Sequence, residues 1–274
     1  MSFLISAEDL AARLGEPDLR IVDGSWHLDG RDARADFERA HIPGAVFFDL
    51  DAVSDRDSPL PHMMPSPQSF AASISALGIK ADDRIVVYDT AGLFSAARVW
   101  WMFKTMGAKH VQVLDGGLPR WLAQDRPVEA GKSSASPNVF SAIQTARAAV
   151  SLDDVRVALS ESVQVIDARG AARFQGTAAE PRPGVRSGHM PGAFNLPYGK
   201  LLKDDGTMKR GAALEKVFAD AGVDIDRPIV TTCGSGVTAA ILTLALAELG
   251  RSSRLYDGSW SEWGARSDTP VETG

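Results

Sequence analysis

The chain of 274 residues is written twice, and that repetition limits its fold more than any single motif does. Leu19-Arg20-Ile21-Val22-Asp23 returns as Val163-Gln164-Val165-Ile166-Asp167. His41-Ile42-Pro43-Gly44-Ala45 returns as His189-Met190-Pro191-Gly192-Ala193. Arg84 to Asp89 returns as Arg227 to Cys233, and Asp115-Gly116-Gly117 with Trp121 returns as Asp257-Gly258-Ser259 with Trp263. Even Pro127-Val128-Glu129 recurs as Pro270-Val271-Glu272. Blocks in one order at nearly one offset define a tandem duplication, so one fold must serve both halves.

Within each half, short apolar β-branched runs alternate with helical stretches. The strand candidates are Ile21-Val22, Ile85 to Tyr88 and Val111 to Leu114, then Val165-Ile166, Ile229 to Thr232 and Arg254 to Tyr256. The helix candidates are Ser69 to Leu77, Ser95 to Met106, Leu214 to Ala221 and Val237 to Leu249, followed by Gly78, Gly107, Gly222 and Gly250 as C-terminal caps. Strands without polar alternation, separated by helices, predict an α/β fold: in each half a parallel sheet with helices on both faces. The polar, small-residue stretch that begins at Gly131 predicts a linker over 131–147, between a first domain at 1–130 and a second at 148–274.

The two halves differ where a strand gives way to a helix. Ile229-Val230-Thr231-Thr232 runs into Cys233, the one cysteine of the chain, and Gly234-Ser235-Gly236-Val237-Thr238 then leads into a helix. Ligands of parallel sheets bind at the carboxyl ends of strands. Unpaired N–H groups at a turn and helix start attract an anion, which favours the nucleophilic thiolate. The first half carries Asp89 at the matching position and has no sulfur there. The first half is therefore a retained scaffold, and the second is the active one.

Composition excludes several classes. A formal net charge of −6 is no footprint for nucleic acid. One cysteine forbids an internal disulfide. The opening Met1-Ser2-Phe3-Leu4-Ile5-Ser6-Ala7-Glu8-Asp9 has no basic stretch of the kind that starts a signal peptide, and no apolar run is long enough to span a bilayer. A cytoplasmic protein without membrane partners is expected. No Cys/His cluster suggests a metal, and no cofactor is expected. Cysteine phosphatases need Cys-x5-Arg, but Ala239 stands where that arginine belongs. Trp100, Trp101, Trp121, Trp260 and Trp263 are expected in core or interdomain packing, and Met63-Met64-Pro65 as flexible filling.

The duplicated His-x-Pro-Gly-Ala and Asp-Gly-[Gly/Ser]-x3-Trp blocks, with Cys-Gly-Ser-Gly-Val-Thr-Ala in the second copy only, resemble the two-domain rhodanese-like sulfurtransferases over nearly the whole chain. Thiosulfate-using members of that family carry Cys-Arg-Lys-Gly-Val-Thr, with two cations beside a dianion. Gly234 and Ser235 replace those cations here, so the chain is similar to the branch that uses 3-mercaptopyruvate.

The resemblance implies a fold of tandem rhodanese-like domains and a persulfide on Cys233. It implies a small-molecule sulfur donor and an acceptor that is thioredoxin, another thiol or cyanide. The N–H groups of Gly234, Ser235, Gly236, Val237 and Thr238 are expected to cradle the anionic sulfur. Arg173 and Arg182 match the family's carboxylate-binding arginines, the alternative being that they merely pair with Glu180 or another acid. The family's Ser-His-Asp arrangement maps onto Ser235, His41 and Asp32, with Asp36 as a second choice for the acid. The repeat of His41 as His189 leaves open that His41 only holds its turn. The alternatives to this activity are thiosulfate:cyanide sulfur transfer and a noncatalytic sulfur-carrier or interaction module.

Overall fold

The structure, a computed structural model, describes residues 2–161 and 163–274; Met1, at the head of the N-terminal stretch read above, lies outside it. The described residues form two compact units. The first comprises the chain up to Arg56, Pro65–Thr145 and Asp204–Thr207. The second comprises Asp57–Met64, Ala146–Lys203 and Met208–Gly274. Residues 131–145, expected as linker, lie on the first unit: Asn138 N–H donates to Ser75 O at 2.9 Å, Ile143 N–H to Met106 O at 3.0 Å and Thr145 N–H to Thr105 O at 2.7 Å. Their polarity reflects an extended strap that makes its hydrogen bonds along a helix edge.

In the first unit β1 (Leu4–Ile5), β2 (Leu19–Asp23), β3 (Ala45–Phe47), β4 (Arg84–Tyr88) and β5 (His110–Leu114) form a parallel sheet in the order β1-β5-β4-β2-β3. In the second, β6 (Ala149–Val150), β7 (Gln164–Asp167), β8 (Phe194–Asn195), β9 (Ile229–Thr232) and β10 (Arg254–Tyr256) form another in the order β6-β10-β9-β7-β8. The orders are identical, so the duplication read in the sequence is a duplication of topology. The central strands β7 and β9 are buried along their whole length, because helices cover both faces.

The cores match as well. Leu10, Ile21, Phe37, Ile42, Val86, Tyr88 and Trp121 pack in the first unit; Val155, Val165, Met190, Val230, Tyr256, Trp260 and Trp263 pack in the second. Trp121 and Trp263 are core residues with their N–H groups satisfied: Trp121 Nε1 donates to Pro127 O and Trp263 Nε1 to Pro270 O, both at 2.8 Å, so the repeated Pro-Val-Glu blocks are the acceptors for the repeated indoles.

The helix Ala239–Glu248 is apolar all round and buried from Ala239 to Leu246, which fixes the helix that follows Cys233 rigidly against β9. Gly250, at φ +72°, ends the stretch in the left-handed conformation that its lack of a Cβ permits. Among the described residues no helix is long and apolar enough to cross a membrane.

Candidate active site

Cys233 follows the last residue of β9 and is 2% exposed. Its backbone is held from the neighbouring turn. Ser259 Oγ accepts the Cys233 N–H at 3.2 Å, and Cys233 O accepts the Trp260 N–H at 2.9 Å. Gly234 O accepts both the Ser261 N–H, at 2.8 Å, and Ser261 Oγ, at 2.6 Å. The Asp-Gly-Ser-x3-Trp block therefore exists to clamp the two peptide groups that flank the sulfur. Gly236 turns the loop at φ +75°, where a side chain would be strained. Thr238 then starts the buried helix without capping it through its side chain. Among the described residues no protein acceptor takes the N–H groups of Gly234, Ser235, Gly236, Val237 or Thr238.

The equivalent loop of the first unit shows what such N–H groups do with an anion. Asp89 is 1% exposed, and its carboxylate accepts from Ala91 N–H at 2.9 Å, Phe94 at 2.7 Å, Ser95 at 2.9 Å and Ala96 at 2.8 Å. Ala96 and Ala239 are each the first residue of their helix. Matched from the helix backward and from the strand forward, the four donors correspond to Ser235, Val237, Thr238 and Ala239. The first half thus fills its own cradle with a fixed carboxylate.

Two arginines meet above the loop. A Cβ placed on Gly234 would lie 3.1 Å from Arg173 Nη2 and 3.9 Å from Arg182 Nη1. Arg182 Nη2 also donates to Ser235 Oγ at 3.4 Å. Arg173 pairs with Glu180, whose side chain is 3% exposed, through Nη2 to Oε2 and through Nε to Oε1 at 3.2 Å. Arg173 is therefore ion-paired and also lies over the cysteine loop. Glu180 Oε1 accepts in addition from Arg169 Nη1 at 2.8 Å, and Arg169 Nε contacts both oxygens of Asp167, at 3.1 and 2.9 Å.

The histidine beside Ser235 is His62, and here the sequence expectation is corrected. His62 Nδ1 lies 3.0 Å from Ser235 Oγ, both residues being buried in the second unit. The segment that carries His62 is anchored there by the Met64 N–H, which donates to Asp257 Oδ2 at 2.6 Å. His62 itself has φ +60°, an unusual conformation for a non-glycine residue at a site where strain points to a constraint.

His41 sits elsewhere. Its Nδ1–H donates to Phe37 O at 2.8 Å, its ring stacks on Phe37 at 4.0 Å, and its backbone pairs with Glu129 in both directions. His189 repeats every contact: Nδ1–H to Phe174 O at 2.9 Å, ring on Phe174 at 3.8 Å, backbone paired with Glu272. Both histidines tie down the Pro-Gly turn. Asp32 caps the helix Ala33–Arg39 by accepting the N–H groups of Arg34 and Ala35, and Asp36 pairs with His27 and Arg39. Neither acid is a partner of His41. A histidine bracketed by prolines, Pro61-His62-Met63-Met64-Pro65, was the available signal.

A duplicated parallel-sheet fold, with a buried cysteine clamped at a strand end in one copy only and an anion cradle before a rigid helix, defines a sulfur-handling protein of the rhodanese class. The chain belongs to that family: the rhodanese-like domain model matches residues 6–124 and 151–266. It is 45% identical over 276 residues to a 3-mercaptopyruvate sulfurtransferase of Escherichia coli, covering 99% of this chain and 98% of that protein. It is 43% identical to the mitochondrial thiosulfate/3-mercaptopyruvate sulfurtransferase 1 of Arabidopsis thaliana, over 98% of this chain and 78% of that one. The crystal structure of SseA from Escherichia coli superposes with a TM-score of 0.87 at 41% identity, covering 96% of this chain and all of that one.

Proposed function

We propose that the chain is a sulfurtransferase that takes sulfane sulfur from 3-mercaptopyruvate onto Cys233, releases pyruvate and passes the sulfur to a thiol or cyanide. The observation that carries the donor assignment is the arrangement above Gly234. The loop itself holds no cation, while the Arg173 and Arg182 guanidiniums approach it at Gly234 from a separate segment, as planar recognition of a carboxylate requires.

The Cys233 thiolate attacks the donor's thiol sulfur. An S–S bond forms, the C–S bond breaks, and its electron pair leaves on carbon as the enolate of pyruvate, which takes up the proton released from the donor thiol. The persulfide anion rests on the N–H groups that follow Cys233, in the way the Asp89 carboxylate rests on those of the first unit. Ser235 and His62 hold the proton at the carbonyl end of the donor, and Arg173 and Arg182 hold its carboxylate. An acceptor thiol or cyanide then attacks the outer sulfur and regenerates the thiolate, so turnover is ping-pong. One cysteine and no internal disulfide suit a reducing compartment, so the proposed setting is the cytoplasm, with thioredoxin as a candidate acceptor.

Steady-state rates with 3-mercaptopyruvate and with thiosulfate test this. The expected result is a higher kcat/KM for 3-mercaptopyruvate, and equal or reversed preference overturns the donor assignment. Mass spectrometry after donor alone should find one added sulfur atom on Cys233. Alkylation of Cys233 should abolish transfer; transfer surviving it would rule out the persulfide route.

A further inference from the structure

Glu180 is the hub of the charged cluster beside Cys233, and no step of the chemistry uses it. Its carboxylate sits between two guanidiniums, Arg169 at 2.8 Å and Arg173 through two contacts. Arg169 is in turn held on Asp167, donates to Gly188 O at 2.8 Å and lies over the Trp260 ring at 4.3 Å. The side chains of Asp167, Arg169 and Glu180 are all at most 3% exposed, so solvent screens this cluster weakly. Only the end of the chain of charges, Arg173, reaches toward the loop, and it is joined there by Arg182.

The signs matter more than the contacts. The guanidiniums of Arg169 and Arg173 face the carboxylates of Asp167 and Glu180, while Arg182 donates to Ser235 Oγ. Glu180 thereby offsets the positive charge of Arg173, which reaches toward the loop.

We propose that Glu180 is a specificity-determining residue: by cancelling one guanidinium next to the loop, it matches the site to a monoanionic donor and weakens it for a dianionic one. The inference rests on the donor assignment above. Its physical basis is that any change in site charge acts on a dianion with twice the energy it exerts on a monoanion. The negative charge of Glu180 therefore disfavours a dianion more than a monoanion. The same carboxylate fixes the Arg173 fork, so geometry and charge have to be separated by experiment.

Glu180→Gln keeps the size of the side chain and removes its charge. In this variant the ratio of kcat/KM for thiosulfate to that for 3-mercaptopyruvate should rise about tenfold or more over the unmodified enzyme. Glu180→Asp, which keeps the charge, should leave that ratio within about threefold. A purely structural role would lower both rates together in both variants and leave the ratio unchanged, and that result overturns the proposal. A preference for thiosulfate in the unmodified enzyme would sink the donor assignment instead, while the shift in ratio still reports on Glu180.

A second measurement does not depend on the variant folding. Methanesulfonate and sulfate have similar shapes and carry one and two charges. As competitive inhibitors of the unmodified enzyme against 3-mercaptopyruvate they should have inhibition constants within about threefold of each other. Sulfate binding about tenfold tighter would mean that the site is not charge-matched to a monoanion and would overturn the proposal.

Discussion

His62 Nδ1 and Ser235 Oγ lie 3.0 Å apart across 173 positions of sequence. The contact is made within one unit, because residues Asp57–Met64 pack with the second sheet although they are encoded within the first half. A polar pair of this kind beside a buried cysteine is placed to handle a proton. His62→Gln should lower kcat/KM for 3-mercaptopyruvate by about 100-fold or more. His41→Gln should leave the rate of folded enzyme unchanged and lower stability by about 1–3 kcal/mol, through loss of the hydrogen bond to Phe37 O. Rates normalised to folded protein, with thermal unfolding of both variants, check the pair. An active His62→Gln enzyme would remove His62 from the mechanism.

The exchange of histidines shows where the sequence was legible and where it stopped being so. His41 stands in a repeated motif, and repetition signals a shared structural duty, here the bracket on Phe37 that His189 reproduces on Phe174. A residue that serves only the active half has no repeated signal. The duplication, the central strands and the cysteine loop were readable because apolar runs and glycines report burial and turns directly. The edge strands Leu4–Ile5, Ala149–Val150 and Phe194–Asn195 were not, since two residues carry no periodicity. The pairing of Arg173 with Glu180 was among the readings, but the Arg169 link and the burial were hidden, because a buried ion pair needs coordinates to be told from a solvated one.

Gly234 leaves room for a guanidinium. A methyl group there would stand 3.1 Å from Arg173 Nη2, and φ at this residue is not in the left-handed region, so the backbone accepts alanine. Gly234→Ala should displace the Arg173 tip and raise KM for 3-mercaptopyruvate by about tenfold, roughly the value of one charge-assisted hydrogen bond, with Tm unchanged. Donor titrations and calorimetry on the same sample decide it; an unchanged KM would separate Arg173 from the donor.

Asp89 is a permanent occupant of the first unit's cradle. Its carboxylate takes four N–H groups in a site that is 1% exposed. Asp89→Ala strands those donors, and hydrogen bonds to a charged group contribute about 1.5–3 kcal/mol each. The first unit should therefore unfold well below its normal temperature. Sulfur loading of Cys233 should survive at temperatures where the first unit stays folded. Calorimetry paired with mass analysis of the donor-treated protein tests this, and an unchanged unfolding profile would show that the loop stands without its anion.

Asp23 gives the first unit a pH dependence of definite sign. It ends β2, is fully buried, and has Oδ1 on the Ser25 N–H. Burial pushes its carboxyl up from 3.8 to about 6, with the nearby Asp89 charge adding to the shift and hydrogen bonds from Ser25 and Tyr88 opposing it. Asp167, its repeat counterpart, has Arg169 as a counter-ion, and Asp23 has Ser25 in that place. Between pH of about 4 and 6 the folded chain keeps a proton that the unfolded chain releases, so stability falls as pH rises through that window and is level above it. The loss is about 3 kcal/mol at most. Asp23→Asn cannot ionise, so it should be more stable than the unmodified protein at pH 7 and gain little at pH 4. Denaturant midpoints for both proteins at these two pH values decide it: a gain as large at pH 4 as at pH 7 would show that the carboxyl is ionised in the folded chain throughout.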